Sequence, residues 1–357
     1  MKRYFLAALL LNTLSTYAQL PVAATYIDSI TDKSHFNGTI LLESNFSPIY
    51  RKSFGLANMA FNIPNTPDTK YKIASITKAF TAVLVLQLYE RGLIQLDTSI
   101  STYLQDYKGP AAKQVTIRQL LNMTSGMKNM DAGITLESVL KNGMPQYQLP
   151  HTSREMLLLY ASDSLLRPPG KQFDYNNAEY IVLGQIIEAV TKKSFEEQLT
   201  TAILQPLGMQ ESGMASQEKI IDNLADTYFY REDLKTLVND LPSYINNWYA
   251  AGAMYATVGD IARFCNALFS GKLLKPATLQ EMFHSGLDEY GLGVWVYKNY
   301  DINGHNYTII KRPGSIMGAQ AMLFHVLEAK TTIIILSNTA NVDMDQFAAR
   351  IADRLVR

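Results

Sequence analysis

The pattern of hydrophobic and polar positions puts strand-like runs at both ends of the chain and helix-like runs between them. Phe36 to Glu43 is rich in β-forming residues, Pro48 to Ala57 reads as a second strand, and Ser44-Asn45-Phe46-Ser47 between them predicts a hairpin. Ser75 to Arg91 predicts a helix, because Ala79, Ala82, Val83 and Leu86 recur at helical spacing and Gly92 supplies a stop. From Asp97 to about Asn247 the pattern is mostly helical with long loops, with a sharp turn at Pro168-Pro169-Gly170 and an amphipathic helix over Ala178 to Lys192. Val258 to Phe269 predicts another helix. Strand-like runs return at Tyr290–Tyr297, Tyr307–Lys311, Ala319–Val326 and Thr331–Ser337. A last helix, Asp343 to Val356, carries Phe347, Ile351 and Leu355 at intervals of four.

This order predicts an α/β architecture of the α+β type: an antiparallel sheet flanked by helices, built from both chain ends, with a mostly helical domain inserted between them. The expected boundaries are 19–96 and 248–357 for the α/β part and 97–247 for the helical part, with the active site in the cleft between the two.

Composition narrows the classes of function. Of 357 residues, 47% are hydrophobic and 18% charged, which excludes a disordered chain. Lys+Arg and Asp+Glu both number 32, so charge offers no case for nucleic-acid binding or for a polybasic membrane patch. Cys265 is the sole cysteine, which rules out an intramolecular disulfide or a thiolate metal cage. At the N-terminus, Lys2 and Arg3 precede an apolar run from Tyr4 to Leu11, and small residues stand at Thr16 and Ala18. That order reads as a signal peptide over 1–18, cut between Ala18 and Gln19, so the expected location is outside the cytoplasm, in a periplasm or secreted. No other apolar stretch is long enough to cross a bilayer as a helix, so no transmembrane segment is expected in the mature chain.

There is no G-x-S-x-G elbow, no P-loop, no dinucleotide fingerprint and no H-E-x-x-H, and the five histidines are scattered. The informative segment is Ile73-Ala74-Ser75-Ile76-Thr77-Lys78-Ala79-Phe80. A serine hydroxyl needs a nearby base to become a nucleophile. Three residues along a helix is just under one turn, which puts Lys78 on the same face as Ser75. Burial in a strongly apolar helix would lower the lysine pKa and free its amine. The same spacing occurs at Ser125–Lys128, Ser138–Lys141 and Ser216–Lys219, but none of these opens an apolar helix. Tyr175-Asn176-Asn177 is a second candidate: a tyrosine near an ammonium is pushed toward phenolate and relays protons, and an asparagine offers both donor and acceptor. A third is Lys311-Arg312-Pro313-Gly314-Ser315, read as the end of one strand-like run, where Gly314 lets the backbone approach a ligand closely and Arg312 is suited to grip a carboxylate.

Together these segments resemble the serine β-lactamase and penicillin-binding-protein-like family, in particular its class C β-lactamase and esterase branch. Further matching stretches are Leu120-Leu121-Asn122-Met123-Thr124-Ser125-Gly126-Met127, Pro206-Leu207-Gly208-Met209 and Ala251-Gly252-Ala253-Met254-Tyr255. The resemblance implies a β-lactamase/transpeptidase-like fold, a small-molecule or peptide substrate, and no metal or cofactor. It implies Ser75 as acylated nucleophile, Lys78 as its activator, Tyr175 as proton shuttle, Asn177 as a residue orienting substrate and Lys78, and the backbone N–H groups of Ser75 and Ser315 as an oxyanion hole. Arg312 and Gly314 fall in the substrate-binding motif. That motif departs from the family's usual Lys, His or Trp followed by Thr or Gly and then Gly, since Arg312-Pro313 stands there. The expected activity is hydrolysis of an ester or amide, with small esters, D-amino-acid peptides and β-lactams all open. Acyl transfer on the same acyl-enzyme and a catalytically silent binding protein of the same fold are the alternatives.

Overall fold

A computed structural model describes residues 20–161 and 164–356. The signal-peptide reading of 1–18 lies outside these residues. Among the described residues no helix is long and apolar enough to cross a membrane.

The centre of the fold is a six-stranded sheet. Its strands are β1 (Gly38–Ser44), β2 (Ser47–Phe54), β3 (Trp295–Ile302), β4 (His305–Ile316), β5 (Ala319–Val326) and β6 (Thr331–Ser337). The spatial order is β3-β4-β5-β6-β1-β2, and every pairing is antiparallel. The first and last strands of the sequence therefore meet in mid-sheet, where Gly38 pairs Ser337 and Ser44 pairs Thr331. The expected hairpin is present: Asn45 and Phe46 both adopt positive φ, 49° and 63°, as the tight turn between β1 and β2 demands.

Five helices fix the sheet and the site: α1 (20–34), α2 (Thr77–Glu90), α3 (Asn177–Thr191), α4 (Val258–Phe269) and α5 (Met344–Leu355). The central strands are buried throughout because both faces are covered, and alternation sorts their side chains. Ile40, Leu42, Met322, Phe324, Ile333 and Ile335 pack with Ala23 and Ile27 of α1 and with Phe347 and Ile351 of α5. Leu41, Ala321, Leu323, Ile334 and Leu336 join the larger core, which includes Ile261 and Phe264 of α4 and most of α2. Helix α2 is buried from Thr77 through Leu86, so it runs through the interior and shows no single apolar stripe.

Three details differ from the sequence reading. The strand expected at Tyr290–Tyr297 runs from Trp295 to Ile302 instead, after a short turn at Leu287–Glu289. A small hairpin, Tyr228–Arg231 with Thr236–Asn239, lies in the stretch read as mostly helical. The strand expected to stop at Lys311 continues through Arg312-Pro313-Gly314 to Ile316. The register shows why Pro313 is tolerated. Counting back from the two-residue turn that pairs Ile316 with Ala319, the alternation puts Pro313 opposite Met322 at a position whose nitrogen faces away from β5. The β3–β4 ladder ends at the pair Trp295–Lys311, so no strand needs the missing N–H on that side either.

Candidate active site

Ser75 lies on a single 3-10 turn, Ala74–Ile76, that leads into α2. Ala74 holds φ +47°, a left-handed conformation that a β-carbon disfavours, immediately before the serine. The turn is fixed from two sides. Ile73 N–H donates to the Met254 carbonyl over 3.0 Å, and Ile76 N–H donates back to Ile73 over 3.1 Å. Strand β4 packs against it at Gly314, where an added β-carbon would sit 2.5 Å from the Ile73 carbonyl oxygen and 3.0 Å from the Ser75 nitrogen. Glycine was expected here for a close approach to a ligand; the approach it admits in the structure is to the chain's own Ile73–Ser75 turn.

Lys78, one turn along, is fully buried. Its Nζ donates to Asn177 Oδ1 over 2.6 Å and to the Ala251 carbonyl over 2.8 Å, and lies 3.2 Å from Ser75 Oγ. An ammonium has three N–H donors and a free amine has two. With two taken by carbonyl oxygens, a deprotonated Lys78 turns its lone pair toward the serine. Burial is the main reason its pKa falls to about 8, with the Arg312 charge adding to the fall and Tyr175 opposing it.

Tyr175 precedes α3, whose N-cap is Asn176. Its hydroxyl is 2.8 Å from Ser75 Oγ and accepts a hydrogen bond from Arg312 Nη2 over 2.6 Å. Burial alone would push this phenol up, but the charges of Arg312 and then Lys78, with hydrogen bonds from Lys78 and Ser75, outweigh it and hold the phenol below its ordinary value. Ser75 Oγ thus lies between two titratable groups on opposite elements, one from α2 and one from the loop before α3.

Arg312 does not do what its place in the motif led us to expect. It is fully buried, its Nε donates to the Ser75 carbonyl over 2.7 Å, and its guanidinium sits 5.2–5.9 Å from the ring centres of Trp295, Tyr175 and Tyr290. A guanidinium so enclosed is part of the wall behind Ser75 and is not presented to grip a substrate carboxylate. Asn177 is likewise committed at both ends of its amide, since Nδ2 donates to Asp131 Oδ2 over 2.7 Å. Ser315 is exposed at the end of β4 and lines the cavity over Ser75 together with Gly314.

Sequence reasoning missed Asp131 and Tyr147. Asp131 accepts from Asn177 and, over 2.8 Å, from the Tyr147 hydroxyl, whose ring stacks on Trp248 at 3.7 Å. Burial raises the Asp131 carboxyl above its ordinary range, with those two hydrogen bonds pulling the other way. The chain Tyr147–Asp131–Asn177–Lys78 orients the amide so that its oxygen faces the lysine. No local pattern marks Asp131 or Tyr147. The other serine–lysine spacings do not assemble a site: Ser125 donates to Glu179, Ser138 sits in the capping box of Thr135, and Lys219 pairs with Glu196.

A cavity of about 400 Å³ opens over Ser75 and Tyr175, walled by Trp295, Pro313 to Ser315, Gln320 and the start of α5, including Asp343 and Asp345. The carboxylates of Asp343 and Asp345 are exposed there.

The Beta-lactamase family model matches residues 44–357. The chain belongs to that family. Its relatives within the Beta-lactamase family include the Bacillus subtilis (strain 168) protein PbpX, 29% identical over 276 residues, which cover 75% of this chain and 65% of PbpX. A teichoic acid D-alanine hydrolase from Staphylococcus aureus is 26% identical over 274 residues, covering 74% of this chain and 62% of that protein. The chain therefore spans just under two thirds of these relatives' own lengths. Among solved structures, a penicillin binding protein from Bacillus halodurans superposes with a TM-score of 0.76 at 28% identity, covering 91% of this chain and 98% of its own. D-amino acid amidase from Ochrobactrum anthropi SV3 has the same fold, with a TM-score of 0.78 at 23% identity, covering 93% of this chain and 98% of its own. The β-lactamase/transpeptidase-like fold expected from the sequence is the fold of this family member.

Proposed function

We propose that this Beta-lactamase family member is an exported serine hydrolase that forms an acyl-enzyme on Ser75 and cleaves an ester or amide whose acyl part carries a free amine, as a D-aminoacyl ester does. The observation that carries the reading is the position of Ser75 Oγ, 3.2 Å from Lys78 Nζ and 2.8 Å from the Tyr175 hydroxyl. In acylation, Oγ bonds to the substrate carbonyl carbon as its proton passes to the Lys78–Tyr175 pair. The oxygen that gains charge lies against the backbone N–H groups of Ser75 and Ser315. The carbon–oxygen or carbon–nitrogen bond then breaks, and Tyr175 returns the proton to the leaving group. In deacylation, water attacks the same carbon and gives its proton to the pair, and Ser75 leaves with that proton. Removing one oxyanion donor costs about 10²–10³ in rate.

The choice of an amine-bearing acyl group rests on the cavity wall. Arg312 is sealed behind the nucleophile, and the charged side chains of the wall are Asp343 and Asp345. Lys311 pairs with Asp345, and Asp343 caps α5 by accepting from the Gln346 N–H, yet both carboxylates stay exposed on this wall, where an incoming ammonium meets them. The S. aureus relative named as a teichoic acid D-alanine hydrolase points the same way.

The test is covalent labelling. A fluorophosphonate should add one mass increment on Ser75, and Ser75→Ala should abolish it. Among carboxyl esters, kcat/KM for D-alanyl esters should exceed that for their N-acetylated counterparts. No adduct from any acylating probe would overturn the enzyme reading, and indifference to N-acetylation would overturn the substrate class.

A pH profile tests the charge arrangement. The base form of Lys78 accumulates as pH rises through about 8, so acylation should rise through that pH and then level off. The Arg312 charge lowers both Lys78 and Tyr175. Arg312→Gln should therefore move the rising limb to higher pH, while Arg312→Lys, which keeps the charge, should leave it nearer its original place. A limb that stays put in Arg312→Gln would mean the guanidinium acts only as a brace.

A further inference from the structure

A second pocket, of about 570 Å³, opens between the β1–β2 edge and α4 and shares no lining residue with the cavity over Ser75. Its floor is polar where a sheet–helix interface is ordinarily apolar. Glu43, on the same face of β1 as Leu41, is only 2% exposed. The side-chain amide of Asn266, from α4, donates to Glu43 Oε1 over 3.2 Å and to the Phe46 carbonyl over 3.3 Å. That leaves Glu43 Oε2 and Asn266 Oδ1, both buried, without a partner among the described residues. Leaving one buried acceptor unmatched costs about 1–3 kcal/mol, and native interiors hold few such atoms. Here two of them belong to residues that line one opening.

The surroundings leave room for a ligand and give it a polarity. The β1–β2 register slips between Leu42 and Glu43, which bends the edge strand at this point. Gly259, which has no side chain, and Ala262, which has only a methyl group, line it from α4. Arg51, exposed on β2, and Arg263, exposed on α4, line the same pocket. Arg263 is tied to Asp260, and among the described residues neither guanidinium pairs with Glu43. Burial pushes the Glu43 carboxyl above its ordinary range, offset only in part by the Asn266 bond, as suits an acid lacking a counter-charge. Two unmatched acceptors call for a donor-rich cation, and two arginines at the opening call for an anion.

We propose that this pocket binds a small zwitterion of the free α-amino-acid kind, whose ammonium donates to Glu43 Oε2 and Asn266 Oδ1 and whose carboxylate meets Arg51 and Arg263. The proposal is independent of the chemistry at Ser75.

Isothermal titration of the full chain carrying Ser75→Ala, which cannot turn substrate over, tests it with glycine, D-alanine, L-alanine, methylamine and acetate as probes. The amino acids should bind saturably at one site per chain, and methylamine and acetate should each bind more weakly than any of them. Glu43→Gln should weaken amino-acid binding by roughly 10–100-fold, the loss of one charge-assisted contact. Because Glu43 is buried, Arg51→Gln at its exposed position supplies a second variant whose folding is not at stake, and it too should weaken the amino acids. In the Ser75-containing protein, neither change should alter fluorophosphonate labelling. Absence of saturable binding at millimolar concentrations, as when water or a swung-in Arg51 satisfies the acceptors, would overturn the proposal. So would binding that ignores both variants.

Discussion

Lys78→Met should slow acylation of Ser75 by about 10²–10⁴-fold, the usual contribution of a positioned proton acceptor. Methionine fills nearly the same buried space, so the packing of α2 against α3 and the Tyr249–Gly252 helix should survive. What disappears is the amine that two carbonyl oxygens hold with its third position toward the serine. Lys78→Arg separates the two roles a lysine could play. A guanidinium keeps the positive charge but does not give up a proton in a protein. If the charge alone mattered, the arginine variant would retain activity; if the free base matters, it should be as slow as the methionine variant. The rate of adduct formation on Ser75, read by mass spectrometry beside a thermal melt of each variant, decides between them. A methionine variant labelled at the original rate would remove Lys78 from the mechanism.

Gly314→Ala should be nearly as damaging although it adds one methyl group. That carbon would lie 2.5 Å from a backbone oxygen and 3.0 Å from the nucleophile's own nitrogen, and backbone yields far less readily than a flexible side chain. Either β4 moves back from the turn or the turn moves off β4. Both displace the N–H groups proposed to face the developing oxyanion, at a cost of about 10²–10³ in kcat/KM. The sheet should still form, because the ladder from Ile309 to Ile316 with β5 does not depend on the face that touches Ser75. An alanine variant with unchanged kcat/KM and an unchanged melting temperature would show that the close approach is not needed.

Much of this arrangement was legible in the sequence, for reasons that can be traced to particular residues. Ser75 and Lys78 are close because of helical spacing alone, and the apolar run after them announced the burial that lowers the lysine pKa. The bounds of α4, β5 and β6 were read correctly because their periodicities are strong and uninterrupted. Arg312-Pro313-Gly314 was read as a strand end, and proline does ordinarily break a ladder. Its tolerance depends on which edge of β4 lacks a partner, a tertiary property. The position of Arg312 was hidden for a related reason: Tyr175 encloses it from one part of the chain, and Tyr290 and Trp295 from another far along the sequence. Asp131 and Tyr147 left no trace because their contacts with Asn177, Trp248 and each other are made across long loops.

The weave of the sheet has a bearing on how the molecule comes into being. Ser75 and Arg312 are separated by 237 positions, yet they share a hydrogen bond. Strand β1 has its neighbour β6 only after nearly the whole polypeptide has been made. Contacts so distant in sequence form late and slowly in folding. On the proposed mechanism, the nascent chain would carry its serine and lysine for most of synthesis without Arg312 beside them, and the site would be complete only when the last strands dock.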